Sequence, residues 1–329
     1  MTGNHKEKMD QATCIFFDGI SGSGKSATSQ LIYLDLRRKG VDVRWYYEHA
    51  APHPIVSSQE IESALRENLP PQHAAQLALE RVAAFVQQQK NSGRVYLFES
   101  CLYQMFAGCL FRMDQSEDAI HRAVRRFEEG FAPLAPALVY FYQPDVGAAL
   151  RRIAEKRGEG FDQYLLDQFS QTPYGKARNI STFDALIGAY VEFRRITDAL
   201  YEASPFQKIS IDTAPGDWQA VLNALSQFIS NTGYLGPAPP ARPLADYAGE
   251  YQETQTGHRW SLAADETGLV FDDAHRMKAL PCDGDVFLLE SAPIELQFEV
   301  GQNGRIASLR CEGSVLNEPL VGTVWNKVK

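Results

Sequence analysis

One short stretch, Cys14 to Ser26, constrains the fold of this chain more than any other. Cys14-Ile15-Phe16-Phe17 is an apolar run. Gly19-Ile20-Ser21-Gly22-Ser23-Gly24-Lys25-Ser26 follows as G-x-x-x-x-G-K-S, and then a helical pattern begins. A strand, a glycine-rich loop and a helix in that order make a phosphate-binding P-loop. Gly19, Gly22 and Gly24 allow backbone angles closed to other residues and let the loop amides approach phosphate oxygens. The helix N-terminus adds its positive end at the same anion. Lys25 is placed to reach β- and γ-phosphates and the Ser26 hydroxyl to hold Mg²⁺. Ser21, Ser23 and Ala27 complete the expected nucleotide-binding set.

The 329 residues are enough for two domains, and the apolar fraction, 44%, is that of a globular protein. Net charge is −9; residues 240–329 hold 8 Lys and Arg against 14 Asp and Glu, and the remainder 24 against 27. Neither part has the basic excess of a nucleic-acid binder. No apolar run is long enough to span a membrane, and Met1 to Gln11 is polar, without the apolar segment of a signal peptide. Five scattered cysteines without C-x-x-C spacing read as reduced thiols, so a cytoplasmic location is expected.

Along the chain, strand patterns at 14–17, 41–47, 94–98, 137–142 and 207–212 alternate with helical patterns, among them 26–39, 59–67, 72–90, 182–203 and 217–229. This predicts an α/β domain with a five-stranded parallel sheet and helices on both faces. Ligands of such sheets sit at the carboxyl ends of the strands, where the loop, Glu48 and Glu99 all fall. Residues 232–246, rich in Gly and Pro, read as a semi-rigid linker. Beyond it come short alternating runs at 258–263, 268–271, 286–290, 294–300 and 305–311, with Asp283-Gly284 and Asn303-Gly304 as turn signals. The expected organisation is a tail over 1–11, a P-loop domain over 12–231, the linker, and a small antiparallel β-barrel or sandwich over 247–329. Such a linker predicts separate cores, the β domain being dispensable for folding of the rest.

Residues 12–230 resemble the thymidylate kinase and deoxynucleoside kinase group of P-loop kinases. The resemblance rests on Phe17-Asp18-Gly19 through Ser26, on Leu79-Glu80-Arg81, on Leu97-Phe98-Glu99-Ser100, and on Ala137 to Arg157 with Asp145 and Ala149-Leu150-Arg151-Arg152-Ile153. It implies transfer of a phosphoryl group from ATP, with Mg²⁺, to a hydroxyl of a nucleoside- or nucleotide-like molecule. It implies further that Glu48 stands at the place of the general base, that Glu99 is the metal-side acid, and that Arg81 faces the acceptor. The chain departs from the family in one respect: Ser100 occupies the position after the acid, where the family has an arginine that helps hold acceptor and phosphates. This weakens the case for a nucleotide acceptor, thymidylate above all, and leaves a non-nucleoside metabolite or antibiotic as the alternative. The β tail resembles the small β domain appended to some serine β-lactamase-like proteins, through Tyr247-Ala248-Gly249-Glu250-Tyr251 and Phe298-Glu299-Val300 with Asn303-Gly304. It implies an accessory module without β-lactam chemistry.

The candidate catalytic set is Lys25, Glu48, Glu99 and the lid arginines Arg151, Arg152 and Arg157, whose guanidinium forks suit the spread charge of a moving phosphoryl group. Ser26 and Glu99 are the candidate Mg²⁺ ligands. Asp18, Glu48, Arg81 and Gln104 are the candidate acceptor-binding residues, with Asp18 also open to a bridging role toward metal-bound water. His49 and His53 lack a third ligand at zinc spacing. The partner expected is a small-molecule hydroxyl acceptor, not nucleic acid or membrane, with a homodimer left open. A rival class is a non-catalytic NTP-binding regulator with a β interaction domain.

Overall fold

The computed structural model describes residues 12–67, 69–272, 277–313, 315 and 319–328. The expected N-terminal tail, 1–11, lies outside them. Two compact units emerge: one takes the chain up to Lys25, Asp42–Glu48 and Pro54–Tyr234, the other Ser26–Val41, His49–His53 and Leu235–Lys329.

In chain order the elements begin with β1 (Cys14–Gly19), α1 (Lys25–Arg38), β2 (Val43–Tyr46), α2 (Ser58–Arg66), α3 (Pro71–Gln89) and β3 (Val95–Glu99). A π-helix, Cys101–Ala107, runs directly into α4 (Gly108–Arg112), and α5 (Glu117–Phe131) follows. Then come β4 (Pro136–Tyr142), α6 (Val146–Arg157), α7 (Phe161–Ser170), α8 (Pro173–Ala177), α9 (Phe183–Ala203), β5 (Gln207–Asp212) and α10 (Trp218–Ser230).

The sheet of the first unit is parallel throughout, in the order β2-β3-β1-β4-β5. β1 is central, with Ile15 opposite Leu97 on one side and Ala137 on the other. All six of its residues are buried, the near-continuous apolar pattern of a strand covered on both faces. Phe16 stacks on Phe98 and meets Phe127 and Phe131 edge-on, which joins sheet and α5 in one aromatic core. α2 starts in a full capping box. The Ser57 hydroxyl accepts from the Glu60 amide, and the Glu60 carboxylate accepts from the Ser57 amide.

The second unit holds α11 (Leu244–Tyr247) and the strands β6 (Gly249–Glu253), β7 (Arg259–Ala264), β8 (Leu269–Phe271), β9 (Lys278–Asp283), β10 (Val286–Leu289), β11 (Ile294–Val300), β12 (Ile306–Gly313) and β13 (Val324–Lys327). Each pairs with the next, and β13 closes on β6, giving an eight-stranded antiparallel barrel. Closure resolves the barrel-or-sandwich alternative. It also adds three strands, β6, β9 and β13, to the five runs read from sequence. Tyr247, Tyr251, Phe287, Phe298 and Trp325 fill the interior. α1, from Ser26 on, belongs to this unit. The wholly buried Gln30 amide donates to Leu289 O at 2.7 Å and Ala292 O at 3.1 Å, and its carbonyl accepts from Ser291 N at 2.8 Å. Arg37 reaches Cys282 Sγ at 3.1 Å.

Candidate active site

The phosphate loop turns directly out of β1. Gly22 and Gly24 have φ of +79° and +91°, the left-handed region that side chains rarely enter. A Cβ on Gly24 would lie 2.5 Å from the Trp218 ring. Both glycines are therefore required by geometry, and the loop is held from behind. The Thr213 hydroxyl donates to Ser23 O at 3.0 Å, and the Gln143 amide donates to Thr213 Oγ1 at 2.8 Å. Tyr190 bonds Ser21 through its hydroxyl. Lys25 is buried, its ammonium donating to Ile20 O at 3.0 Å. Ser26 and Ala27 follow in the first turn of α1, where the Ser29 hydroxyl donates to Ser26 O.

Three carboxylates gather at the strand ends beside Lys25. Asp18, fully buried, accepts from the amides of Leu102 at 3.0 Å and Gln104 at 2.9 Å. The π-helix makes this possible. Its wide turn, with Met105 N bonded to Ser100 O, aims successive amides at one carboxylate. Burial raises the Asp18 carboxyl to about 6, against the pull of those amides and Lys25. Glu48 is also raised, first by burial and then by Asp18, while Lys25, the Ser100 hydroxyl and Arg157 oppose the shift. Its carboxylate accepts from the Gln104 side-chain amide at 2.8 Å. Glu99, fully buried, accepts from Glu48 N at 3.2 Å and from the Ser100 hydroxyl at 2.6 Å. Ser100 itself is held at φ +61°, an uncommon angle for a non-glycine residue and a form of strain that clusters at functional sites.

The expected residues thus separate. Asp18, Lys25, Glu48, Glu99 and Gln104 are linked through direct bonds, shared partners or mutual electrostatics. Of the lid arginines, Arg157 influences Glu48, whereas Arg151 pairs with Asp184 at 2.9 Å on the surface and Arg152 donates to Gln143 Oε1 at 2.7 Å. Arg81 is paired bidentately with Glu60, at 2.6 and 2.5 Å, and also donates to Ile55 O. Thr213, Gln143, Tyr190 and Ser100 were not among the residues expected from sequence. Nothing in the local sequence marks the first three, because their role comes from strand-end loops converging in space.

Against Lys25, the three carboxylates leave an excess of negative charge in an oxygen-only set. That set fits a hard cation such as Mg²⁺, which takes one or two carboxylates, keeps several waters and is completed by phosphate. Among the described residues no cluster of three or more His, Cys, Asp or Glu side chains has the arrangement of a self-sufficient metal site. All five cysteines are buried free thiols, and among the described residues no helix is long and apolar enough to cross a membrane.

No protein-family model matches the chain, and no curated protein matches it by sequence. Among solved structures, a thymidylate kinase from Ehrlichia chaffeensis is similar over 66% of this chain and 97% of its own, with 10% identity and a TM-score of 0.39. The strand order and the loop geometry, independently of that likeness, carry the account of the fold.

Proposed function

We propose that this protein is an ATP- and Mg²⁺-dependent phosphotransferase that moves the γ-phosphoryl group to a hydroxyl of a small molecule. One observation carries the reading: the phosphate loop and a half-buried carboxylate that Gln104 positions, Glu48, share Lys25 as their cation. A protein that only sensed a nucleotide would need the loop but not an oriented base.

Lys25 and the loop amides bind and orient the phosphates. Ser26 and Glu99, with Asp18, would hold Mg²⁺, which would supply charge neutralisation for the phosphates. The acceptor oxygen bonds to the γ-phosphorus, the bridging P–O bond to the β-phosphate breaks, and ADP leaves. Glu48 takes the hydroxyl proton. Positioning matters more than basicity, because the transition state is loose; Gln104 fixes the Glu48 carboxylate through Oε2. Arg157 moves onto the transferring group, offsetting its spread charge.

The test is ADP release measured with ATP, Mg²⁺ and a panel of hydroxyl compounds. Acceptor-dependent ADP release that Lys25→Ala abolishes is expected. Nucleotide binding without turnover against any acceptor, together with tight binding of a macromolecule, would favour the regulator instead.

A further inference from the structure

A cavity of about 290 Å³ opens between α2, α3 and α4, lined mostly by aliphatic side chains, with the rings of Phe106 and His73. Ile61, Ala64 and Ala78 form its buried walls, and Cys109 and Leu110 its floor. The π-helix takes part in both the cavity, through Phe106, and the candidate site, through Gln104. Gln104, whose amide holds Glu48, lies on the π-helix, and Cys109 follows in α4. Phe106, between them, also lines the cavity.

The polar groups around it are already engaged or lie at its solvent edge. Glu60 and Arg81 neutralise each other in a bidentate pair, and Glu60 is further bound by Ser57. Ser63 Oγ accepts from Arg66 at 3.2 Å. Gln59 and His73 are exposed. A nucleobase buried here would lose its water and gain few partners for its ring nitrogens and carbonyls, a cost that disfavours it strongly. A nucleoside monophosphate would need an unspent cation. Arg81 is spent on Glu60.

We infer that this cavity is the acceptor's seat and that the acceptor is a neutral hydroxyl compound with an apolar body of about ten carbons, not a nucleoside or nucleotide; the volume is at the low end of the roughly 300–1,000 Å³ of drug-sized sites. The inference rests on the phosphotransferase reading. The transfer step is the one given above, with the alcohol oxygen as nucleophile, ADP as leaving group and the proton passing to Glu48.

The test uses the full chain and N-phenyl-1-naphthylamine, a neutral apolar fluorophore. Saturable single-site binding is expected, weakened at least tenfold by Ala78→Phe, which fills the cavity wall, and by Ala74→Phe nearer its mouth. Lys25→Ala should bind the probe as the unmodified protein does. Geraniol should displace the probe and raise ADP release, and thymidine should do neither. ATP binding and circular dichroism of the Ala74 and Ala78 variants report their folding. No probe binding, unchanged binding in both filled variants, displacement by thymidine, or ADP release driven by nucleosides and not by apolar alcohols would each overturn the inference. Loss of the phosphotransferase reading shows separately, as absence of ATP binding in a protein that still binds the probe.

Discussion

The side-chain amide of Gln104 donates to Glu48 Oε2 at 2.8 Å, while two residues earlier and at Gln104 itself the backbone amides of the same π-helix hold Asp18. One helix turn therefore orients two acids of different elements. Glu48→Gln is expected to lower kcat by roughly a hundredfold or more with ATP affinity little changed, since it removes a proton acceptor and no phosphate contact. Glu99→Gln should instead raise the Mg²⁺ requirement and weaken ATP use. Titration of Mg²⁺ and ATP for both variants separates the roles, and exchanged phenotypes would reverse them.

Lys25→Ala should abolish transfer while the chain stays folded. Among the described residues the ammonium donates to Ile20 O, so its loss removes charge compensation from phosphate, Asp18 and Glu48 but one backbone bond alone. Turnover within tenfold of the unmodified protein would exclude Lys25 from phosphate binding.

Gly24→Ala should cost at least tenfold in ATP affinity. The new Cβ meets the Trp218 ring at 2.5 Å and sits on a backbone with φ of +91°. Adding Trp218→Ala relieves the clash but not the backbone strain, so the double variant should recover only in part. Full recovery would show that crowding alone makes the glycine necessary.

The Glu128 carboxyl is buried on α5 and raised by that burial from about 4.5 to about 7, with Ser204 and Lys208 opposing the shift. Below pH 4.5 both folded and unfolded chains hold the proton and the native advantage is complete. As pH rises toward 7 the unfolded chain ionises first, and stability falls. Glu128→Gln should flatten this dependence and raise stability at pH 8 by on the order of 2–3 kcal/mol. Urea midpoints at pH 5 and pH 8 check it; equal midpoints for the unmodified protein would contradict the shift.

Gln30→Ala should destabilise the full chain by about 1–3 kcal/mol, because Leu289 O and Ser291 N lose their buried partner. Truncation after Gly236 removes those partners and also the Cys282 thiol that Arg37 reaches. The resulting fragment should show lower soluble yield, contrary to what linker composition alone suggests. A fragment as soluble as the full chain, with unaltered ATP binding, would restore the tail as dispensable.

Much of this architecture was legible in the sequence, and the gaps have physical causes. Of the five sheet strands, β1, β3 and β4 stood out as compact apolar runs, β2 by its β-branched and aromatic residues and β5 by the alternation of Ile209 and Ile211 with polar residues. β9 was hidden by Pro281, which argues against a strand; the structure accommodates it where the register shifts, Val286 facing Asp283 and Phe287 facing Pro281. β13 is only four residues long. The carboxylates at strand ends were visible as a pattern, but their bonds run through the π-helix, which has no sequence signature. Arg81 had a visible rival in advance: Ser57-Ser58-Gln59-Glu60 is a capping-box pattern that fixes Glu60, and Glu60 then captures the arginine.

The barrel closes by pairing its last strand with its first, Lys327 opposite Tyr251 and Trp325 opposite Glu253. During synthesis the ring therefore stays open until its final strand has left the ribosome. Until then β6 and β12 each present an unpaired edge able to capture another chain. The same order of synthesis leaves Gln30 on α1 without the turn that receives it until Leu289, 259 residues further along the chain, has been made.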